Sequence, residues 1–204
     1  ITEHNGNGFA HSFEPVLVHT RVGGLRIGTM ICEDMWHEDY PFNPAQELAD
    51  NGAELLINIS ASPWTWQKNA KRHRVVKDII KSCKVPLIYV NHTGIQNNGK
   101  NIIIFDGSST AYNRQGQIAQ SIAPYFEGTK DLIWNEAYTQ IGFEQRNDTK
   151  ELYNALTYAI RKFWLFLPKD KKNVFIGLSG GIDSALSIAL FSQAIGAEYI
   201  TAIN

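Results

Sequence analysis

Apolar residues recur along this chain with two periods, and the change from one to the other marks the elements. Leu25–Ile31 (LRIGTMI) is an apolar run that breaks into the polar Cys32-Glu33-Asp34, which predicts a buried strand running out to a site. Glu54–Ile59 (ELLINI) and Val85–Val90 (VPLIYV) have the same character. Between them, Asn69–Cys83 places Val75, Val76, Ile79 and Ile80 at helical spacing, with bases on the other face. Strand, helix, strand in this order predicts an α/β sheet with buried central strands. Asn101–Phe105, Ser109–Tyr112 and Gln117–Ile122 then form a strand-rich stretch. The turns Asp106-Gly107-Ser108 and Asn113-Arg114-Gln115-Gly116 punctuate it as hairpin connections would.

The apolar pattern lapses over Asn135–Thr149, which predicts a boundary there. Asp148 and Glu151 form a capping-box pair ahead of a helix whose apolar face is Leu152, Leu156, Ile160, Phe163 and Leu167, and Pro168 ends it. Next come a strand at Asn173–Leu178, a glycine-rich turn, a helix at Asp183–Ile195 closed by Gly196, and a strand at Tyr199–Ile203. This is a βαβ unit with glycines at its first strand-to-helix junction.

Composition narrows the function classes. The 204 residues are 44% hydrophobic and 19% charged, an ordinary globular balance. With a net charge of −1 there is no basic excess to draw nucleic acid or an anionic membrane, and no apolar stretch is long enough to span one. The short basic runs Lys68–Arg74 and Lys169–Lys172 read as solvated faces. Cys32 and Cys83 lie far apart and outside any metal-ligand spacing, so a reducing, cytoplasmic setting is expected. The amino end carries no signal-peptide pattern. The chain opens without Met and stops at Thr201-Ala202-Ile203-Asn204, so both ends are expected to be cut from something longer.

The glycine turn Ser179-Gly180-Gly181-Ile182-Asp183-Ser184 admits three readings from its residues. As a phosphate cradle, paired glycines let the backbone approach a ligand, the helix start offers free N–H groups, and Ser179 and Ser184 add hydroxyls. The Walker GK[ST] ending is missing, and Asp183 beside phosphates requires a cation such as Mg2+. As a nucleophile elbow, Gly177-x-Ser179-x-Gly181 fits G-x-S-x-G and makes Ser179 a hydrolase nucleophile. As plain structure, it is a helix start capped by Asp or Ser. Cys32 is similarly open. A thiol at a strand end is either a small buried apolar group or a nucleophile at the sheet's rim. Glu33 and Asp34 would raise its pKa, so a nucleophile here needs a cation and a base from elsewhere.

Resemblance narrows both sites. Ser179–Ser184 (SGGIDS), between an apolar strand and a helix, resembles the signature of the ATP-pyrophosphatases, the adenylating family that includes the NAD, GMP and argininosuccinate synthetases. That resemblance implies ATP contacts from Ser179, Gly180, Gly181, Ile182, Asp183 and Ser184, with Asp183 on the metal. Ile31–Trp36 (ICEDMW) resembles the nucleophile strand of the nitrilase superfamily, in the form found in glutamine-dependent NAD synthetases. It implies Cys32 as nucleophile of a Glu–Lys–Cys triad whose Glu and Lys precede the Cys. Among the 31 residues before Cys32 there is no Lys, and Glu3 and Glu14 stand in unsuitable contexts, so this chain alone is expected to be inactive as an amidase. Asn58–Pro63 (NISASP), with Lys68 beyond it, resembles the glutamine-binding stretch. Glu33, Ser62 and Lys68 fall where the family grips the amino and carboxylate ends of the substrate, which suits a zwitterion. Phe105–Ser109 (FDGSS) resembles a structural turn of the family, and His92 reads as a loop or packing histidine. Trp36 and His37 stand one turn beyond the Cys, where they would wall the pocket, and Trp36 reads equally as a core residue.

The resemblance covers nearly the whole chain and implies an α/β architecture. Residues 1–135 are the C-terminal part of a nitrilase-like α-β-β-α sandwich carrying the glutaminase site. Residues 136–147 are a linker. Residues 148–204 open a doubly wound, parallel-sheet domain of the adenine nucleotide alpha hydrolase-like kind. The implied activity is ATP-dependent amidation of nicotinic acid adenine dinucleotide to NAD, with ammonia from glutamine, Mg2+ beside ATP, a sheltered ammonia path, and a homo-oligomer. Two rivals from other classes are a nitrilase-family amide hydrolase with a nucleotide-binding regulatory module, and a non-catalytic scaffold.

Overall fold

The computed structural model describes residues 2–4, 9–11, 13–20, 23–132 and 147–204, so the expected linker lies outside the described residues except for Asn147. The chain divides into two compact units, Ile1–Thr93 with Phe105–Gln145 and Gly94–Ile104 with Arg146–Asn204. In chain order the first part contains β1 (Thr2–His4), β2 (Phe9–His11), β3 (Val16–Thr20), β4 (Gly23–Ile31), α1 (Pro44–Asp50), β5 (Leu55–Ser60), α2 (Lys68–Cys83) and β6 (Leu87–Asn91). Then follow β7 (Thr93–Asn97), β8 (Ile102–Asp106), β9 (Thr110–Tyr112), β10 (Ile118–Ser121), α3 (Asp148–Phe166), β11 (Val174–Gly177), α4 (Ile182–Ile195) and β12 (Ile200–Ile203).

The first unit is built on a six-stranded sheet in the order β10-β9-β6-β5-β4-β3. Its centre, β4-β5-β6, is parallel, and β3 and β9 flank it antiparallel. The central strands are the apolar runs expected from the sequence, and α2 supplies the crossover between β5 and β6. Met30, Leu56, Leu87 and Tyr89 face Val75, Val76, Ile79 and Ile80 of α2 and Ala45 and Leu48 of α1 in one buried core. The opposite face of the sheet differs from the expectation of fully covered strands. Val16, Val18, Ile31, Ile59 and Val90 are 58%, 40%, 56%, 53% and 41% exposed there. The sequence pattern is apolar on both faces, but the described helices cover one.

The turn Asn113–Gly116 joins β9 to β10 as a hairpin, with Gly116 N–H donating to Asn113 O at 2.9 Å. The turn at Asp106–Ser108 does not, which corrects the hairpin expectation. β8 pairs with β7 in a separate ribbon, and β9 pairs with β6 and β10. The turn therefore redirects the chain between sheets, through left-handed residues Gly107 (φ 65°) and Ser108 (φ 56°).

In the second unit, α3 is capped by Asn147, whose side chain accepts from Lys150 N–H at 2.9 Å, one residue before the expected cap. Its buried positions are Ala155 and Ala159, while Leu156 and Phe163 of the expected apolar face are 38% and 39% exposed. β11 and β12 are parallel, joined by α4, and Gly196 (φ 98°) closes that helix. Lys172 donates to Trp164 O at 2.7 Å and lies over the Trp164 ring, while Trp164 Nε1 donates to Lys172 O at 2.8 Å.

Candidate functional site

Cys32 follows the last residue of β4 and opens a 3-10 turn, Cys32–Met35. Its φ of 42° puts a non-glycine residue in the left-handed region. Such a conformation costs on the order of 1–3 kcal/mol and persists only where the surroundings enforce it. They do so here from two sides. Asp34 Oδ2 accepts the Ile31 N–H at 2.8 Å, and Asn58 Nδ2 reaches Cys32 O at 3.5 Å. Asn58 is itself buried on β5 and accepts from Ser60 Oγ. The thiol at this sharp turn is free and half-buried. Burial and nearby Asp50 push the pKa of the Cys83 thiol up to about 11, and that thiol rests against Gln46.

Glu33 accepts from Tyr40 OH at 3.2 Å and lines a pocket of about 160 Å3 with Asp34, His37, Tyr40, Phe42 and Pro44. Lys68 lines a different pocket, of about 530 Å3, at the start of α2 with Thr65, Trp66, Gln67, Lys71 and Arg74. Its ammonium stands 4.3 Å from the centre of the Trp36 ring, and Lys71 stands at 5.2 Å. Burial pushes the Lys68 pKa below that of an ordinary lysine, as do the charges of Arg72 and Lys71, while Glu33 and Cys32 pull it back up. Cys32, Glu33 and Lys68 thus interact electrostatically around Trp36, with the anionic and cationic walls in separate pockets. Ser62 is placed elsewhere. It is 3% exposed, and its Oγ faces Arg72 Nη2 at 3.4 Å.

Ser62 belongs to a buried polar network that the sequence reading missed. Arg72 and Asp106 form an ion pair at 2.8 Å with side chains 3% and 1% exposed. Arg72 Nη2 also donates to Ser62 O at 2.9 Å and Pro63 O at 3.3 Å, and Ser108 Oγ donates to Asp106 Oδ2 at 2.9 Å. Asn91 accepts the Ser62 N–H at 2.9 Å and donates to Gly107 O at 3.0 Å. One signal was available: Arg72 stands three and four residues before Val75 and Val76, a charge on the apolar stripe of α2.

In the second unit the glycine turn leaves β11 and opens α4. Gly180 has φ 78°, and space is open where its side chain would be. Ser179 Oγ and Ser184 Oγ lie 3.2 Å apart, and Ser184 Oγ donates to Gly181 O at 3.0 Å. Asp183 is exposed, as is Ile182. No side chain caps the helix, so the capped-helix reading of this turn does not describe it. Nor is Ser179 among the left-handed residues, as an elbow nucleophile would be; the elbow in this chain is at Cys32.

The chain belongs to the carbon-nitrogen hydrolase family, whose profile matches residues 6–134. Its relatives within that family are specific. The chain is 35% identical over 192 residues to a glutamine-dependent NAD(+) synthetase of Synechocystis sp., covering 88% of this chain and 33% of that protein. It is 33% identical over 187 residues to that of Acinetobacter baylyi, covering 88% of this chain and 32% of the relative. The structure of glutamine-dependent NAD+ synthetase from Acinetobacter baumannii in complex with ADP matches with a TM-score of 0.75 at 28% identity. That match covers 95% of this chain and 35% of the other. The chain therefore spans about a third of the length of the relatives it matches.

Proposed function

We propose that the chain is the part of a glutamine-dependent NAD synthetase that joins the end of a glutaminase domain to the beginning of a synthetase domain. The observation that carries this reading is Cys32 in its left-handed elbow, on the same chain as an uncapped glycine turn opening α4. The thiolate of Cys32 attacks the side-chain amide carbon of glutamine. The tetrahedral adduct collapses with loss of ammonia, leaving a glutamyl thioester that water hydrolyses to glutamate and free thiol. Lys68 holds the α-carboxylate and Glu33 the α-ammonium, each supplying the charge its partner lacks. The base that takes the thiol proton is the triad Glu–Lys pair that the resemblance places before Cys32. The uncovered apolar face of the sheet supports the same reading, because an α-β-β-α sandwich lays a second sheet there.

In the synthetase half, the carboxylate of nicotinic acid adenine dinucleotide attacks the α-phosphorus of ATP and releases pyrophosphate. Ammonia then displaces AMP from the acyl adenylate to give NAD. Ser179, Gly180, Gly181, Ile182 and Ser184 suit the phosphates: two hydroxyls and uncapped helix N–H groups converge on a glycine backbone with open space beside it. Asp183 would hold Mg2+, which offsets phosphate charge when bound. Mg2+ is commonly held by one or two carboxylates together with substrate phosphates and water, which suits a single aspartate beside a phosphate cradle.

Variants of the complete enzyme test both halves. Cys32→Ala should abolish NAD synthesis from glutamine while sparing synthesis from ammonium, and Asp183→Ala should cripple both. Undiminished synthesis in Asp183→Ala would reject the metal role, and a complete enzyme that makes no NAD from either nitrogen source would favour an amide hydrolase with a regulatory nucleotide module.

A further inference from the structure

We infer that Arg72 is a positioning residue for glutamine, holding the loop 61–67 in the form that starts α2 at Lys68. The inference rests on the glutaminase reading above. The loop has no ladder of its own. Its internal restraints include a Lys68 N–H to Thr65 O bond at 3.1 Å, and it ends in left-handed Gln67, φ 58°. What fixes it comes from outside. Arg72 lies one helical turn after Lys68 and is 2% exposed. Nη1 takes both oxygens of Asp106, at 2.8 and 3.0 Å, while Nη2 takes the carbonyls of Ser62 and Pro63. Asn91 holds Ser62 from the other side through the Ser62 N–H and, at 3.4 Å, its carbonyl. A single planar fork therefore ties the turn after β8 to the segment that leads into Lys68.

Stability alone does not account for this arrangement. A buried ion pair is commonly matched or exceeded in stability by apolar residues of the same volume, because desolvation consumes its Coulombic gain. What the guanidinium adds is direction: a rigid fork whose Nη1 and Nη2 groups are aimed here at a carboxylate and at two loop carbonyls. Lysine keeps the positive charge beside Asp106 but cannot make both sets of contacts. Arg72→Lys thus separates charge from geometry.

The test uses the complete polypeptide carrying Cys32→Ala, so that glutamine binds without turnover, with and without Arg72→Lys. Calorimetry should show glutamine affinity lowered on the order of 10- to 100-fold by Arg72→Lys, the scale expected for a misplaced binding group. In the Cys32 enzyme the same change should raise KM by more than it lowers kcat. Amide exchange should quicken in residues 61–67 before it does in β4–β6. If Arg72→Lys does not fold, Asp106→Asn, which keeps an acceptor oxygen, should shift affinity in the same direction. Unchanged glutamine affinity in a folded Arg72→Lys or Asp106→Asn variant, even with a lowered melting temperature, overturns the positioning role alone. If Cys32→Ala with Arg72 intact binds no glutamine, the glutaminase reading falls and this inference with it.

Discussion

Replacing Asp106 by alanine tests how the first unit is held together, because it removes one half of the buried ion pair and leaves the other half in place. Arg72 would keep its donors to the loop carbonyls but lose both carboxylate oxygens, and Ser108 Oγ would lose its acceptor. With side chains 3% and 1% exposed, solvent cannot replace what is lost. A buried charge stripped of its partner costs about 3–5 kcal/mol, and that is the expected loss of unfolding free energy. The pair Arg74–Glu38 provides the contrast. It spans 3.9 Å between side chains 61% and 46% exposed, and Glu38→Ala should cost about 0–1 kcal/mol. Urea denaturation followed by tryptophan fluorescence measures both. The double variant Arg72→Met/Asp106→Leu should recover most of the loss, since no uncompensated charge remains. An Asp106→Ala penalty as small as that of Glu38→Ala would refute the reasoning.

Two further outcomes follow from the same geometry. Lys68 titrates below the 10.5 of an ordinary lysine, chiefly through burial and then through Arg72 and Lys71. Its charge is lost as pH rises, so KM for glutamine should climb on the alkaline side before an ordinary lysine would deprotonate, and Lys68→Arg should move that climb to higher pH in a KM–pH profile. Gly107→Ala should destabilise by about 2–5 kcal/mol, combining the cost of a left-handed alanine with a Cβ driven into Thr93 Oγ1. Thr93→Ala should return the steric part and leave the backbone part, as read by urea titration.

Much of the fold was legible because its elements are periodic over several residues. The apolar runs became β4, β5 and β6, and the 3.6-residue stripe became α2. The second βαβ unit was legible for the same reason, helped by glycines that mark its turns. The short strand β3 was not, since five residues of mixed character carry little period. The Asp106–Ser108 turn was misjudged because adjacency in sequence does not reveal that β8 and β9 belong to different sheets. For the site, Cys32 was visible as a polar break after an apolar strand, but its left-handed backbone was not, because Asp34 and Asn58 enforce it through contacts that span up to 26 residues. The network around Arg72 stayed hidden for a related reason. A charge is placed inside a protein by partners from other elements, and Asp106 is 34 residues away.

The uncovered sheet face bears on more than the core. Ile31 projects from that face, and the next residue is Cys32. A layer laid over the aliphatic surface would press on Ile31, whose own N–H is already held by Asp34. The hinge that aims the sulfur would then be clamped from both sides of the strand. Closing the hydrophobic interior and fixing the Cys32 turn become one event, so a lesion far out on that face can distort the turn without touching it.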